Sequence, residues 1–399
     1  MAPQKRFVPT EQIGVGGLEI GPLEKKYVNQ VLNSSRLSHG PFSQRFESIF
    51  AREHDCRYAC FLSSGTSALH IALAVLKERH GWRDGDEVLV PAVTFISTAN
   101  IVLYNGLQPV FVDVDPQTYN IDAAQMEGKI TERTRAVIPV HLFGLPAEMD
   151  QIMEVAERRG LRVIEDSCET MFATYGGKKV GSFGDVGCFS TYVAHILVTG
   201  VGGFCTTSDD ELAVMLKSAM NHGRDAIYLH MDDDKTAEKE RLFEVAARRF
   251  RFVRLGYSFR ATELEAAIGL AQLERKDEFL LQRRRNAKIL TEGLSHLEDR
   301  LQLPIIPEGR THSFMMYPMV LRDQPKSDLV NFLEGRKIET RDMLPLLSQP
   351  IYRQIFGDIE GQYPVARWIN ESGFYVGCHP YLKPEEMEYM VEMICEYFR

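Results

Sequence analysis

A large, mostly parallel β-sheet covered by helices, followed by a smaller C-terminal α+β domain, is the α/β architecture that the sequence predicts. Three observations carry this. From about residue 58 onward, short apolar runs bounded by Gly, Pro or Asp alternate with helix-period segments. Near-continuous apolar strands with intervening helices indicate parallel strands buried on both faces. Beyond about residue 260 the texture changes, and one long helical stretch leads into a mixed tail. At 399 residues the chain is also too long for a single small core. The expected division is a large α/β domain with an N-terminal arm over 1–265, then a connecting helix and small α+β domain over 266–399.

In chain order, YACFL (58–62) reads as the first buried strand, and TSALHIALAVLKERH (66–80) as the helix behind it. EVLVP (87–91), QPVFVDV (108–114) and AVIPVHLFG (136–144) continue the strand series, followed by the amphipathic helix AEMDQIMEVAERRG (147–160). LRVIED (161–166), VGCFSTY (186–192) and GGFCTT (202–207) supply three more strands. Residues 262–294 form one long helical stretch broken once. The tail runs from LQLPIIP to a closing amphipathic helix in PEEMEYMVEMICEYF.

Composition narrows the function classes. Hydrophobic residues make up 44% and charged residues 25%, an ordinary balance for a globular protein. The net charge of −9 and a pI near 5.7 argue against a nucleic-acid or anionic-membrane partner, both of which favour basic surfaces. MAPQKRFVPT lacks the apolar core of a signal peptide, and no apolar run reaches membrane-spanning length, so a cytoplasmic location is expected. The seven cysteines are scattered through apolar segments, which fits reduced core thiols. Only Cys56 and Cys60 lie close together, with no following pair at zinc spacing, so no metal is expected.

Three strand-end motifs carry the chemistry. SSGTSALHIAL begins at Ser63, after a strand, and opens a helix. Gly65 permits a tight turn, and free N–H groups with the Thr66 and Ser67 hydroxyls suit a phosphate. A plain N-cap accounts for the same residues equally well. VIEDSCET places Glu165 and Asp166 at the carboxyl end of a buried strand, where open α/β sheets bind ligands. A carboxylate there pairs with a protonated ring nitrogen, or it simply caps the next helix. FSTYVAHILVTGVGG (189–203) adds Ser190 at a strand end, a glycine turn and His195. Neutral imidazole suits proton transfer near pH 7, although a lone histidine is more often structural. A phosphate cradle, a carboxylate for a cationic ring and a base together describe a site for pyridoxal phosphate.

SRLSHGPFSQRFE, SSGTSALHIAL, PAVTFISTAN, HLFGLPAEMD, EDSCET, GSFGDVGCFSTY, NHGRD, GYSFRATELEAAIGLAQLE and CHPYL lie in the order and spacing of one family. The chain resembles the sugar aminotransferases typified by DegT, DnrJ, EryC and StrS, which have the aspartate-aminotransferase-like fold (fold type I). The resemblance implies that Gly65, Thr66 and Ser190 hold the phosphate, Phe95 stacks on the pyridine ring and Asp166 pairs with its nitrogen. It further implies that Glu169, at a position usually glutamine, faces the ring hydroxyl. Ser258 falls where an asparagine often reaches the neighbouring subunit's phosphate, which implies a homodimer with shared active sites.

One departure sets this chain apart. Ordinary members read F-S-x-Y-P-x-K-x-L-x-x-G-E-G-G, and the lysine forms the internal Schiff base. Here His195 stands at the lysine position, Val193 at the proline and Val201 at the glutamate. The resemblance therefore implies that pyridoxal or pyridoxamine phosphate is held non-covalently. A histidine-bearing branch, typified by GDP-4-keto-6-deoxy-D-mannose 3-dehydratase, removes the C3 hydroxyl of a nucleotide-linked sugar. By that likeness His195 is the base, a nucleotide-linked 4-keto-6-deoxysugar is the substrate, and L-glutamate regenerates pyridoxamine phosphate. That branch usually reads A-H-H-I-T-M-G-E-G-G; the Ala194-His195 pair matches, but the second histidine and the glutamate do not. A second histidine branch, coupled to an iron–sulfur cluster and a reductase, needs a C-x-C pair that this chain lacks. Amino transfer without the usual lysine is the competing expectation, and an inactive cofactor- or sugar-nucleotide-binding homologue is a third. Tyr192, His222, Arg224, His312, Tyr317 and Arg341 are candidates for substrate contacts, with surface ion pairing an equal account of the arginines.

Overall fold

The computed structural model describes residues 7–225, 243, 248 and 250–399. The main sheet contains β1 (Tyr58–Leu62), β2 (Glu87–Pro91), β3 (Gln108–Val112), β4 (Thr134–Val137), β5 (Arg162–Asp166), β8 (Val186–Ser190) and β9 (Gly203–Thr207), in the order β1-β9-β8-β5-β4-β2-β3. Pairing is parallel from β3 through β2, β4 and β5 to β8, and β9 alone runs against its neighbours. The two-residue strands β6 (Thr174–Tyr175) and β7 (Lys178–Lys179) form a separate hairpin.

Each expected strand of this sheet forms, and the differences lie at their ends. In AVIPVHLFG the strand proper ends at Val137 and a single bridge joins Val140 to Asp166; Leu142–Gly144 is a tight 3-10 turn with Phe143 at φ +58°. Pro139 has no N–H to give the ladder. Gly144 at φ +106° lets the chain double back under His312 and Phe314, where a β-carbon would lie 2.6 Å from the Phe314 nitrogen. In QPVFVDV the strand stops at Val112, and Asp113 turns to accept hydrogen bonds from the N–H groups of Val365 and Ala366.

Helices α1 (Pro22–Ser34), α2 (Pro41–Glu53), α3 (Gly65–His80), α4 (Ile96–Tyr104), α5 (Ala123–Met126), α6 (Met149–Arg159) and α7 (Asp210–Ala219) accompany the sheet. In α3, Ala68, Leu69, Ile71, Ala72, Leu73, Val75 and Leu76 are all buried, as a central helix of the core requires. Against β1 and β9, Phe46 and Phe50 of α2 close an aromatic cluster in which the rings of Phe50 and Phe204 stack 3.9 Å apart.

The expected long helix breaks once, at Arg275, into α8 (Glu263–Glu274) and α9 (Lys276–Leu294). Four antiparallel strands follow in the order β10-β11-β13-β12: β10 (Leu301–Gln302), β11 (Met316–Leu321), β12 (Thr340–Asp342) and β13 (Gly373–Gly377). With α10 (Ser327–Glu334), α11 (Pro350–Phe356), α12 (Pro364–Ser372) and α13 (Pro384–Tyr397) they complete the C-terminal part. Its core gathers Leu290, Leu294, Tyr317, Met319, Phe374, Val376, Met390 and Ile394, together with Ile13 from the N-terminal segment. That segment pairs Ile13 with Ile338, and at Gly16 it presses against the Ala194 backbone so closely that a β-carbon would lie 3.1 Å from the Ala194 α-carbon. The N-terminal arm thus covers the loop that carries His195.

Candidate active site

The carboxyl ends of β1, β5 and β8 open into a cavity of about 370 Å³. Ser64 caps α3 by accepting the Ser67 N–H at 3.0 Å, and its neighbours Gly65 and Thr66 face the cavity at the helix N-terminus. Gly65 owes its identity to a close approach. A β-carbon there would sit 2.7 Å from both Cys168 Sγ and Ser190 Cβ. Removing the side chain brings helix start and strand end together, which places the Ser190 hydroxyl beside the α3 N–H groups.

Asp166 is buried, and its oxygens accept hydrogen bonds from Thr98 Oγ1 at 2.8 Å and from the Cys168 N–H at 3.1 Å. Both donors are neutral, so burial pushes the Asp166 carboxyl above the ordinary carboxylate range. A cation in the cavity reverses that shift. The neighbouring Glu165 turns the other way and is consumed structurally. It accepts the N–H groups of Gly181, Phe183 and Gly184 at 2.6–2.8 Å and pairs with buried His141 at 3.0 Å. Glu169 accepts the Phe143 N–H at 2.9 Å, and burial, with a smaller contribution from Asp166, pushes it up to about 8. At neutral pH Glu169 is therefore a protonated donor, in keeping with a position that glutamine usually fills. Phe95 stands at the cavity rim with 56% of its surface open, unusual for a large apolar ring.

His195 lies on the loop after β8, with its imidazole on the cavity. Its Nδ1–H donates to the Cys168 carbonyl at 2.5 Å, which leaves the lone pair on Nε2. Burial drives the imidazole down to about 4, so it stays neutral. Among the described residues lining the cavity none is a lysine. The arrangement fits the expected cofactor: a helix start suited to phosphate, a buried carboxylate with no ion pair among the described residues, an uncovered aromatic ring and a neutral base.

Other candidates separate cleanly. Tyr192 lines the cavity, its ring centroid 6.2 Å from that of His195. Tyr317 is wholly buried in the C-terminal core with its hydroxyl 2.7 Å from Thr291. His312 is buried against Phe314, and its Nδ1 accepts the Phe314 N–H at 2.9 Å. Neither lines the cavity: His312 lies under the turn at Gly144, and Tyr317 packs into the C-terminal core. Arg341 pairs with Glu339 outside the cavity. His222, Arg224 and Ser258 cluster on the 221–260 segment, also outside it; Arg260 approaches His222 Nε2 and Ser258 Oγ at 3.4 and 3.3 Å. Residues that the sequence left unmarked also enter the wall: Thr94, Cys168, Met315, Met316, Leu344 and Tyr375. Thr94 and Cys168 lie within PAVTFISTAN and EDSCET without being singled out there, and the other four come from the C-terminal part, where no local motif distinguishes them.

A helix start open to the cavity beside a buried strand-end carboxylate suits a pyridoxal-phosphate-dependent enzyme with the aminotransferase-type fold, and the relatives place the chain in that class. The chain belongs to the DegT/DnrJ/EryC1/StrS aminotransferase family, which it matches over residues 19–395. It is 38% identical over 352 residues to the GDP-perosamine synthase of Caulobacter vibrioides, covering 87% of this chain and 88% of that one. To the GDP-4-keto-6-deoxy-D-mannose 3-dehydratase of Escherichia coli O55:H7 it is 29% identical over 380 residues, covering 93% and 96%. Among solved structures, GDP-4-keto-6-deoxymannose-3-dehydratase with a trapped PLP-glutamate geminal diamine superposes with a TM-score of 0.83 at 26% identity, covering 97% of this chain and 100% of that one.

Proposed function

We propose that this protein dehydrates a nucleotide-linked 4-keto-6-deoxysugar at C3, using His195 as the base. The observation that carries the reading is the state of His195. It is a neutral imidazole lining the cavity, with Nδ1–H committed to the Cys168 carbonyl, and no lysine stands among the described lining residues. When bound, pyridoxamine phosphate supplies an amine for the ketone and a ring that takes up electrons. Gly65, Thr66 and Ser190 would hold its phosphate, Phe95 would cover the ring, and Asp166 would keep the ring nitrogen protonated. Glu169, protonated at neutral pH, would donate to the ring oxygen. His195 Nε2 accepts a proton and returns it without becoming a permanent charge, because its pKa lies below neutrality. L-glutamate is the amino donor in this reading, in accord with the adduct in the solved relative.

A homodimer belongs to the proposal. Tyr104, Phe250, Phe252, Val253 and Leu255 are exposed, and the last four lie on the segment that carries Ser258. An apolar surface beside a residue expected to serve a neighbouring site suits a partner copy.

Amino transfer is the second reading, favoured by the 38% identity to a GDP-perosamine synthase. Product mass separates the two. The protein, pyridoxal phosphate, L-glutamate and a panel of nucleotide 4-keto-6-deoxyhexoses are incubated together. Dehydration yields a product that keeps its ketone and has lost one hydroxyl oxygen. A product with an amine in place of the ketone oxygen refutes the lyase reading.

A further inference from the structure

We infer that Arg283, on α9, is the positioning residue of His195: it clamps the carbonyl behind the imidazole and sets a fixed positive charge beside it. The inference rests on the reading of His195 as a base.

Arg283 is 2% exposed, yet its hydrogen bonds run to backbone carbonyls. Nη1 donates to Phe314 O at 3.1 Å and Met315 O at 2.7 Å, while Nη2 donates to His195 O at 3.1 Å. Among the described residues it forms no ion pair, and its Nε has no hydrogen-bond partner. A buried guanidinium without a carboxylate is costly, and its charge acts on its surroundings almost unscreened. Burial lowers Arg283 itself only to about 10, so it remains a cation at neutral pH.

The planar fork suits three diverging carbonyls from two parts of the fold. Two belong to the turn before β11, whose Met315 lines the cavity, and the third to the His195 loop. The tie therefore holds the loop against the C-terminal part. The ring itself is held by the Cys168 carbonyl at Nδ1. The titratable groups that share the cavity wall with His195 are Asp166 at the end of β5, Cys168 and Glu169 after it, Tyr192 on its own segment and Tyr375 on β13, while Arg283 on α9 bonds its carbonyl. Of these, Arg283 alone carries positive charge. It opposes a second positive charge on the imidazole, adding to the larger effect of burial. The same charge opposes protonation of His379, which burial takes down to about 4.

The test needs no substrate. Histidine-labelled protein, loaded with pyridoxal phosphate, is titrated by NMR, and the His195 signal is identified by its loss in His195→Gln. In the wild type the signal stays that of a neutral Nδ1–H imidazole down to about pH 5. In Arg283→Gln its midpoint rises, whereas Arg283→Lys keeps the charge and a low midpoint but gives a mixture of tautomers. An unchanged midpoint in folded Arg283→Gln overturns the inference, as does wild-type titration near 6.5. If Arg283→Gln does not fold, Arg283→Lys decides: an unaltered tautomer there removes the clamp. These outcomes are read on His195 itself, so they stand apart from whether the product is a dehydrated or an aminated sugar.

Discussion

Replacing Gly65 by alanine sets two opposing effects against each other at the centre of the site. Gly65 opens α3, and by helix propensity alone alanine stabilises by about 0.5–1 kcal/mol. Packing reverses the sign. The added carbon would lie 2.7 Å from Cys168 Sγ, 2.7 Å from Ser190 Cβ and 3.3 Å from Ser190 Cα. Comfortable carbon separations are about 3.5–4.0 Å, so the helix start must withdraw from the end of β8 by nearly an ångström. Overpacking of this kind costs about 1–3 kcal/mol, which leaves a net loss of roughly 1–2 kcal/mol. Thermal melting of the cofactor-free protein should fall by about 1–3 °C, because a chain of 399 residues has a large melting entropy. The same withdrawal separates Ser190 from the helix N–H groups, and pyridoxal phosphate affinity, followed by absorbance, should drop about tenfold for each 1.4 kcal/mol lost. Adding Cys168→Ala should restore only part of the loss, because the Ser190 contacts involve its β-carbon and backbone. A melting temperature equal to or above wild type, with unchanged affinity, would refute the close-approach argument.

Three further outcomes are expected. His195→Gln should lower the rate by about 10²–10⁴ while cofactor affinity stays within about threefold; an active variant would take His195 out of the reaction. Stability should decline as pH falls below 6.5. Burial holds His54 and His312 near 3 and His195 and His379 near 4, so the unfolded chain binds protons that the folded one refuses. Their contribution is complete above about 6.5 and lost progressively down to about pH 3; equal urea midpoints at pH 7 and pH 4.5 would contradict this. Glu169→Gln should stabilise the cofactor-free protein increasingly between pH 5 and 8. The native carboxyl ionises only near 8 whereas the unfolded one does so near 4.5, a difference worth up to about 3 kcal/mol at pH 7. A melting difference that does not grow with pH would argue against a protonated Glu169.

The sheet was legible because its strands are short apolar runs punctuated by turn residues, and β1, β2 and β5 stand nearly where YACFL, EVLVP and LRVIED lie. The gathering of the strand-end and helix-start residues at one cavity was legible for a local reason too. Ser64, Gly65 and Thr66 open a helix, and Asp166 and Ser190 end strands, so their place at one edge of the sheet follows from counting along the chain. His195 was found by its offset from Ser190. His312 and Tyr317 misled because a polar group in an apolar stretch looks the same whether a cavity or a neighbouring threonine receives it.

By itself, then, the sequence determined the order of strands and helices, the family, and which residues stand at the strand ends, since each depends on short-range periodicity and spacing. Only the tertiary structure decided how those residues behave. The choice of Nε2 as the unprotonated nitrogen of His195 depends on a carbonyl 27 residues away, and the lone guanidinium of Arg283 lies 88 residues from the loop that it holds. The split between Glu165, spent on three backbone N–H groups and a histidine, and Asp166, left without a cation, likewise rests on which side of β5 each one faces. Charge state is set by burial and by hydrogen-bond partners from distant segments, and those exist only once the chain has closed upon itself.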